Sequence, residues 1–288
     1  MSEIISDEVK KIWPKSAPSI LNIDKYVKKY KNEIIVIKYG GNVLIDREVF
    51  NNFIKDIGIL HKLGLSIIVV HGGGPRIKRE LDKSNITSKF IKGLRVTDKK
   101  IINIVENVLI AFNKDIASSL KKLGAQAAMF HTKTDNVIEV EPEREELGFV
   151  GIPNKINDDL IQNALNENKI PVIAPLGLGK SEQTYNINGD TAASAIAKKL
   201  KSRRLILMTN VEGVYDDQKN LISEIKPFDL ENLIKWKVVQ GGMIPKIENC
   251  VDAVQNGVRG VVILDGRKPH SILHEIFSDK GSGTLIRE

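Results

Sequence analysis

Two glycine-rich turns in this chain carry residue types that suit the binding of an anion. Lys38 precedes Gly40 and Gly41 at the end of an apolar run, and His71 precedes the three consecutive glycines 72–74 at the end of another. Glycine lets backbone N–H groups approach a ligand closely, and a following helix N-terminus adds positive potential. Three glycines in a row exceed the need of an ordinary turn, so we expect the second turn to hold an anion. For the first turn, a surface lysine is the plain alternative.

A third glycine pair, Gly241 and Gly242, precedes a helical pattern that carries Lys246 in its first turn. The helix dipole disfavours a cation at that place unless an anionic ligand reverses the local sign. Pro245 is tolerated there because the first helical turn needs no N–H group. Lys246 is therefore a second candidate for a charge that holds phosphate.

Two polar segments lie beside predicted helix starts. Arg95 precedes a long helix that Thr97 or Asp98 would cap, and an arginine can hold a carboxylate through two parallel hydrogen bonds. Asn186 and Asp190 stand at the start of a later helix. A surface arginine and a capping aspartate are the plain alternatives to a binding role.

The segment 174–181 matches a relaxed pattern of the phosphate-binding P-loop, with alanine in place of the first glycine. A true P-loop opens directly into a helix whose first N–H groups hold phosphate. The residues after Ser181 form a poor helix, so we reject this interpretation. A G-x-G-x-x-G sequence does not occur, which removes the dinucleotide-binding fingerprint.

The elements that must position these residues alternate between short apolar runs and helical patterns. This alternation indicates an α/β fold with a largely parallel sheet, whose strands are buried on both faces. We expect strands at 34–38, 66–71, 125–130, 136–141, 170–174, 204–209 and 259–264. We expect helices at 46–63, 98–123, 157–168, 190–200 and 243–255.

Residues 1–33 differ in character from the rest of the chain. Two apolar stripes at helical spacing are separated by Pro14 and Pro18, which predicts a two-part, kinked helix. The α/β core is complete without them, so we expect the stripes to mark an interface between subunits. We divide the chain into a helical extension (1–33), a first half (34–180) and a second half (181–288), with the boundary near the proline- and glycine-rich stretch 176–183.

The composition excludes several classes of protein. The chain has 288 residues, a net charge of +7 and one cysteine, Cys250, which alone cannot form an intrachain disulfide, an iron–sulfur site or a cysteine-ligated zinc site. No H-x-x-x-H pair occurs, which excludes a zincin-type metal site, and we assign no metal-ligating residue. The lysines are dispersed, which argues against a nucleic-acid partner. No apolar run suits a membrane helix and the N-terminus does not resemble a signal peptide, so we expect a cytoplasmic protein, or one of the plastid stroma if the gene is plastid-encoded.

Five segments, in this order, resemble the acetylglutamate kinases of the amino-acid kinase family: KYGGN, HGGGP, GLRVTD, NINGDTAA and GGMIPK. The resemblance covers nearly the whole chain. It implies a three-layer αβα sandwich with a central, mainly parallel sheet, whose first half binds N-acetyl-L-glutamate and whose second half binds ATP. It implies ATP-dependent phosphorylation of the side-chain carboxylate of N-acetyl-L-glutamate, the second step of arginine synthesis, with Mg²⁺ bridging the phosphates of ATP. A kinase for another acid or for carbamate is the alternative.

The resemblance also implies a role for each candidate residue. Lys38 and Lys246 match the lysines that stabilise the transferring phosphoryl group, and Asp190 matches the aspartate that orients them. The substrate-binding positions are Gly73, Gly74, Arg95 and Asn186, and the nucleotide-binding positions are Gly40, Gly41, Thr209, Asn210, Val211, Gly242 and Met243. The chain departs from the family's pattern at Asn210, where aspartate is usual, and at Glu182, where glycine is usual.

Both ends of the chain resemble those of arginine-sensitive, hexameric members of the family. By that likeness, His270, Glu275 and Gly283 would help to form an arginine site beside the N-terminal helix. The likeness implies L-arginine as a feedback inhibitor, a homohexamer built as a trimer of dimers, and the PII nitrogen-signalling protein as a candidate partner. A dimer whose N-terminal helix has no such role is the alternative.

Overall fold

A computed structural model describes residues 5–41, 46–241 and 243–288. Its strands are β1 (Ile34–Tyr39), β2 (Ser66–His71), β3 (Phe90–Ile91), β4 (Leu94–Arg95), β5 (Ala127–Phe130), β6 (Ile138–Pro142), β7 (Gly151–Ile156), β8 (Ile170–Ile173), β9 (Leu176–Leu178), β10 (Thr184–Asn186), β11 (Arg204–Thr209), β12 (Glu224–Ile225), β13 (Val261–Asp265) and β14 (Gly283–Ile286). Its helices are α1 (Asp7–Ile12), α2 (Asp24–Tyr30), α3 (Arg47–Lys62), α4 (Gly74–Lys83), α5 (Lys99–Lys122), α6 (Asp158–Asn166), α7 (Gly189–Lys199), α8 (Leu230–Lys235), α9 (Met243–Gln255) and α10 (Ser271–Phe277).

Eight strands form a central sheet in the order β12-β14-β13-β11-β1-β2-β8-β5. The pairs from β13 to β5 are parallel, whereas β14 runs antiparallel to β13. The central strands are apolar throughout because both faces of the sheet are covered. In β1, Ile35 and Ile37 pack into one core cluster and Val36 packs into another on the opposite face.

Helices supply the outer layers of the molecule. The first core cluster includes buried residues of α2, α3, α5 and α10, and the second includes buried residues of α6, α7 and α9. The predicted fold class, a three-layer αβα sandwich with a mainly parallel sheet, is confirmed. None of the helices within the described ranges has the length and apolar character that crossing a bilayer requires.

A smaller sheet, in the order β10-β9-β6-β7, contains the stretch in which we expected a boundary between the two halves. There, β9 and β10 pair as an antiparallel hairpin. Its connection holds Glu182 at φ 58°, a left-handed conformation that glycine adopts more readily than glutamate. This conformation accounts for the glycine that is usual at that position.

Most of the predicted elements lie within a few residues of the observed ones. The structure adds α4, whose buried residues are only Ile77 and Leu81. Two apolar positions in ten residues make too weak a stripe to predict a helix. It also adds α10 and β14, which are short segments at the end of the chain.

The N-terminal segment corrects one expectation. Two helical pieces form as predicted, but their apolar stripes are buried within the chain itself: Val9 and Ile23 have no exposed surface. The rings of Trp13 and Tyr26 pack against Phe277 of α10, at 5.6 and 6.3 Å between centroids. Since the stripes already have a partner in the same chain, they give no reason to expect an interface between subunits, and that interface stays a prediction from resemblance.

Candidate active site

Lys38 lies near the carboxyl end of β1, at the sheet edge where β2 and β11 also end. In parallel sheets this edge is the usual place for a ligand. The Nζ of Lys38 lies 2.8 Å from Asp190 Oδ1. Gly40 leaves room for this arrangement, because a Cβ at that position would overlap the Lys38 ammonium group.

Asp190 holds two lysines together. It lies in the first turn of α7, and its second carboxylate oxygen pairs with Nζ of Lys246 from α9. The cap of α7 is Asn188, whose Oδ1 accepts hydrogen bonds from the N–H groups of Asp190 (2.9 Å) and Thr191 (3.2 Å). Asp190 is therefore not the N-cap, and its carboxylate is left to hold the lysines.

The charge state of this cluster follows from burial and ion pairing. Burial raises the pKa of Asp190, but the attraction of Lys38 and Lys246 outweighs it and holds this pKa well below its usual range. Two ammonium groups around one carboxylate leave one net positive charge. Such a fixed charge is suited to stabilising a phosphoryl group in transfer.

A cavity of about 220 Å³ adjoins this cluster. All four predicted substrate-binding residues line it, together with both Lys38 and Asp190. Gly73 and Gly74 belong to the N-terminus of α4, where Gly73 is the N-cap. Free N-terminal N–H groups and a helix dipole favour an anion at this place.

Arg95 reaches the cavity from β4 and is held on several sides. It is buried, its Nη1 donates to Ser88 Oγ, and its guanidinium lies 4.7 Å from the centroid of the Phe90 ring. Its Nη2 lies 3.4 Å from the carbonyl oxygen of Gly74. Ser88 and Phe90 were missed by sequence reasoning, because the two-residue strands β3 and β4 are too short to predict.

Asn186 is connected to Arg95 through Thr97. The Asn186 Nδ2 lies 3.5 Å from Thr97 Oγ1, and that hydroxyl donates to the Arg95 carbonyl at 2.8 Å. The two predicted substrate-binding side chains, from β10 and β4, therefore share one wall of the cavity.

A second cavity, of about 730 Å³, adjoins the first and shares part of its lining, including Gly93, Val150 and Asn188. Lys246, Thr191, Gly241 and Asn249 line it, and Asp190 lines both cavities. The pair of lysines and the aspartate thus stand where two ligands could meet.

Of the predicted nucleotide-binding residues that the structure describes, Gly41 lines the smaller cavity and none lines the larger one. Thr209 ends β11, and its Cα would lie 4.0 Å from a Cβ at Gly41. Val211 and Met243 are half-buried against the second core cluster. Gly242 lies outside the described residues. Asn210 Oδ1 accepts from the neighbouring Thr209 hydroxyl at 3.3 Å.

A third cavity, of about 890 Å³, lies far from these lysines, between α2, α10 and β14. Glu275 and Gly283 line it, whereas His270 does not appear in its lining. His270 Nδ1 instead lies 2.5 Å from Asp56 Oδ1 of α3, and both groups are buried. Burial raises the pKa of Asp56 to about 6, and His270 partly opposes that rise. Of the three predicted arginine-site residues, the structure brings two together in the cavity.

Comparison with known proteins agrees with this geometry. Residues 33–265 match the model of the amino acid kinase family. The chain is 52% identical to an acetylglutamate kinase of Pelagibacter ubique over the full length of both chains. It is 44% identical to an acetylglutamate kinase of Clostridioides difficile, over 94% of this chain and 97% of that one.

Solved structures show the same fold. N-acetylglutamate synthase from Neisseria gonorrhoeae, complexed with coenzyme A and N-acetyl-glutamate, superposes with a TM-score of 0.84 at 21% identity. The match covers 94% of this chain and 64% of that one, so the chain spans about two thirds of the synthase. Carbamate kinase from Giardia lamblia bound to AMP-PNP superposes at 0.65 with 16% identity, over 89% of this chain and 98% of that one.

Proposed function

Because this chain belongs to the amino acid kinase family and, within it, to the acetylglutamate kinases, we propose that Lys38, Asp190 and Lys246 carry out its phosphoryl transfer. The enzyme phosphorylates N-acetylglutamate in arginine biosynthesis. The observation that supports the assignment of residues is the double ion pair of Asp190 at the meeting point of two cavities.

The acceptor needs no general base. A side-chain carboxylate has an ordinary pKa of about 4.3 and is ionised at neutral pH. The obstacle is the repulsion between this anion and a triphosphate, which fixed positive charge and oriented N–H groups reduce. Lys38, Lys246 and the N-terminus of α4 supply both.

The smaller cavity suits acetylglutamate. Arg95 would hold the α-carboxylate through its planar pair of N–H groups, and Asn186 would contact the same end of the molecule. The γ-carboxylate would then lie towards Lys38 and the N–H groups of Gly73 and Gly74. Such alignment of the reacting groups lowers the entropic part of the barrier.

ATP is the phosphoryl donor expected of a kinase of this family. It would reach Lys246, which lines the larger cavity, and would contact Thr209 to Val211, which lie at the end of β11 and just after it. Mg²⁺ would arrive with ATP and neutralise part of the phosphate charge. Within the described ranges, no three acidic, histidine or cysteine side chains form a group that could hold the ion, so the phosphates would be its main ligands.

The test is ADP release by the intact enzyme with acetylglutamate, glutamate, aspartate and carbamate as separate acceptors. We expect release with acetylglutamate and little with the others, because glutamate and aspartate lack the acetyl group and carbamate lacks the α-carboxylate that Arg95 would bind. Equal release with carbamate would favour the alternative kinase and remove the assigned role of Arg95.

We infer that the third cavity is a site for L-arginine. Glu275 is buried there, and its nearest cation is Arg204, whose Nε lies 3.9 Å from Glu275 Oε1. An incoming guanidinium would supply the closer partner that this carboxylate lacks. Lys29 and Tyr30 of α2 line the same cavity, so a ligand there would touch the N-terminal segment.

The arginine proposal needs a test that keeps the N-terminal segment folded. Deletion of residues 1–30 would uncover the apolar surface of α3 and α10, so a point variant is cleaner. In α2, Lys25 Nζ and Tyr26 OH contact the Asp279 carboxylate at 2.9 Å each. We expect Asp279→Asn to weaken arginine inhibition while the uninhibited rate stays normal. An intact enzyme that ignores millimolar arginine would refute the proposal without affecting the kinase assignment.

The homohexamer, the PII partner and a cytoplasmic or stromal location stay predictions from resemblance. The buried N-terminal stripes remove one reason for expecting the hexamer. Among the described residues 5–33, Leu21 is the large apolar residue that remains exposed, at 85%. Light scattering of the intact protein decides between dimer and hexamer.

A further inference from the structure

The triple-glycine turn is connected to a buried chain of hydrogen bonds that phosphoryl transfer itself does not use. His71 ends β2, and Asn113 lies in the middle of α5; neither side chain has exposed surface. The Asn113 Nδ2 lies 3.0 Å from the carbonyl oxygen of Val172 in β8 and 3.2 Å from His71 Nε2. The other ring nitrogen, His71 Nδ1, lies 2.9 Å from the carbonyl oxygen of Gly72.

These contacts fix the position of the imidazole proton. A carbonyl oxygen can only accept, so the atom of Asn113 that faces Val172 must be the amide nitrogen. That nitrogen has a second hydrogen, which it donates to His71 Nε2. Since Nε2 accepts, the ring proton stays on Nδ1, from which it is donated to Gly72 O. Complete burial lowers the pKa of His71 to about 4, so the ring is neutral at physiological pH.

The hydrogen bond from His71 to the Gly72 carbonyl also sets the direction of the next N–H group, that of Gly73. The peptide between Gly72 and Gly73 is planar and trans, so its N–H points opposite to its C=O. Holding the Gly72 carbonyl towards His71 therefore directs the Gly73 N–H away from the histidine. Gly73 lines the smaller cavity, and among the described residues no acceptor is recorded for its N–H.

Other contacts limit how this turn could relax. The Gly72 N–H donates to the Tyr39 carbonyl at 2.7 Å, which ties the turn to β1. A Cβ at Gly73 would overlap Leu109 of α5, so the turn packs closely on that helix. The orientation of the peptide group between residues 72 and 73 can therefore still change, and the glycines on both sides lower the energy needed to rotate it.

We propose that His71 is a positioning residue: its Nδ1–H, selected by Asn113, holds the 72–73 peptide so that the Gly73 N–H faces the reacting carboxylate. This inference rests on the proposed function, because it assigns the acceptor to the smaller cavity. It explains why a histidine, rather than an apolar residue, ends a strand whose last five residues are buried.

Two substitutions at one position separate this role from a merely structural one. His71→Leu preserves apolar packing and removes the donor, whereas His71→Asn retains a donor at the place of Nδ1 but leaves a void. We expect kcat/KM for acetylglutamate to fall about 100-fold in His71→Leu, the scale of losing one oriented donor. We expect His71→Asn to recover at least about tenfold of that loss, although it should be the less stable protein.

The KM for ATP should change by less than about twofold in both variants, because the donor faces the acceptor. If His71→Leu is as active as His71→Asn, or more active, then the activities of the two variants follow their stabilities and not the presence of the donor. That result would overturn the proposal.

A spectroscopic readout is independent of activity. In ¹⁵N-histidine-labelled enzyme, the signal that disappears in His71→Asn should show the neutral Nδ1–H tautomer, unchanged between about pH 6 and pH 8. An Nε2–H tautomer or a titrating signal would overturn the proposal. If the unsubstituted enzyme fails to phosphorylate acetylglutamate while the tautomer is as expected, the proposed function has failed and the hydrogen-bond chain has not.

Discussion

Two carboxylates that burial desolvates, the half-buried Asp190 and the buried Glu275, differ in their partners. Asp190 has an ammonium group on each oxygen, and the pKa of Asp190 is held below its usual range although burial alone would raise it. Glu275 has the Ser282 N–H at 2.9 Å and Arg204 only at 3.9 Å, and burial raises the pKa of Glu275. Burial acts on both in the same direction, so the partners decide the outcome.

This difference in charged partners distinguishes a carboxylate that organises a site from one that can bind a cationic ligand. A fully paired carboxylate fixes its lysines and has nothing left for an incoming cation. A carboxylate whose desolvation is not compensated gains most when a cation arrives. The first lies at the meeting point of two cavities and the second lines a third cavity, which agrees with the proposed catalytic and inhibitory roles.

The largest effect should come from removing a lysine of the paired site. We expect Lys38→Ala and Lys246→Ala each to lower kcat about 100-fold or more, because each removes a fixed charge from the transition state. Lys180→Ala is the matched control: this lysine lies in the false P-loop and should leave kcat nearly unchanged. The measurement is steady-state ADP release. A normal rate in Lys246→Ala would remove the mechanism, and an inactive Lys180→Ala would revive the P-loop interpretation.

Arg95→Lys should have the next largest effect, on substrate affinity. The variant keeps the positive charge but loses the planar fork and its stacking on Phe90. We expect KM for acetylglutamate to rise about tenfold or more while KM for ATP barely changes. Equal changes in the two KM values would show that Arg95 does not act on the acceptor alone.

Glu275→Gln tests the carboxylate that has only a distant cation as its partner. The amide keeps the shape and the acceptor for the Ser282 N–H but cannot pair with a guanidinium as an anion. We expect half-inhibition to require about tenfold more arginine, with kcat unchanged, because a charge-assisted bond becomes a neutral one. Inhibition that is as tight as in the unsubstituted enzyme would place arginine elsewhere.

The smallest effect concerns stability and pH. Because the pKa of Glu275 is raised in the folded protein, its protonated form favours folding, and this contribution is lost as the pH rises through the folded pKa. We therefore expect the stability of Glu275→Gln relative to the unsubstituted protein, measured by urea unfolding, to increase as the pH rises above the ordinary glutamate pKa of about 4.3 and to level off above the folded pKa. A difference that does not depend on pH would show that Glu275 titrates as it does in the unfolded chain.

The parallel core could be predicted because it depends on local patterns, and the four residues that the family resemblance suggests for substrate binding all line one cavity. Apolar runs ending in Lys38 and His71 set the strand ends, and parallel strands bring their carboxyl ends to one edge. The sequence could not predict which side chains Arg95 contacts, because β3 and β4 have two residues each. Nor could it show that the stripe through Ile23 is buried in its own chain, since a pattern reveals an apolar face and not its partner. The same limit hid the contact between His270 and Asp56, which are 214 residues apart.

The proposed mechanism requires that the two ammonium groups be held in fixed positions, and not merely that they be positive, so Asp190→Asn is the most direct test of the account. The substitution removes a negative charge and raises the net charge of the cluster from one to two. If charge alone accelerated the reaction, kcat would hold or rise. Because Asp190 fixes both ammonium groups, we expect kcat for acetylglutamate phosphorylation to fall about 100-fold or more, at saturating concentrations of both substrates. A kcat equal to or above that of the unsubstituted enzyme would contradict the account.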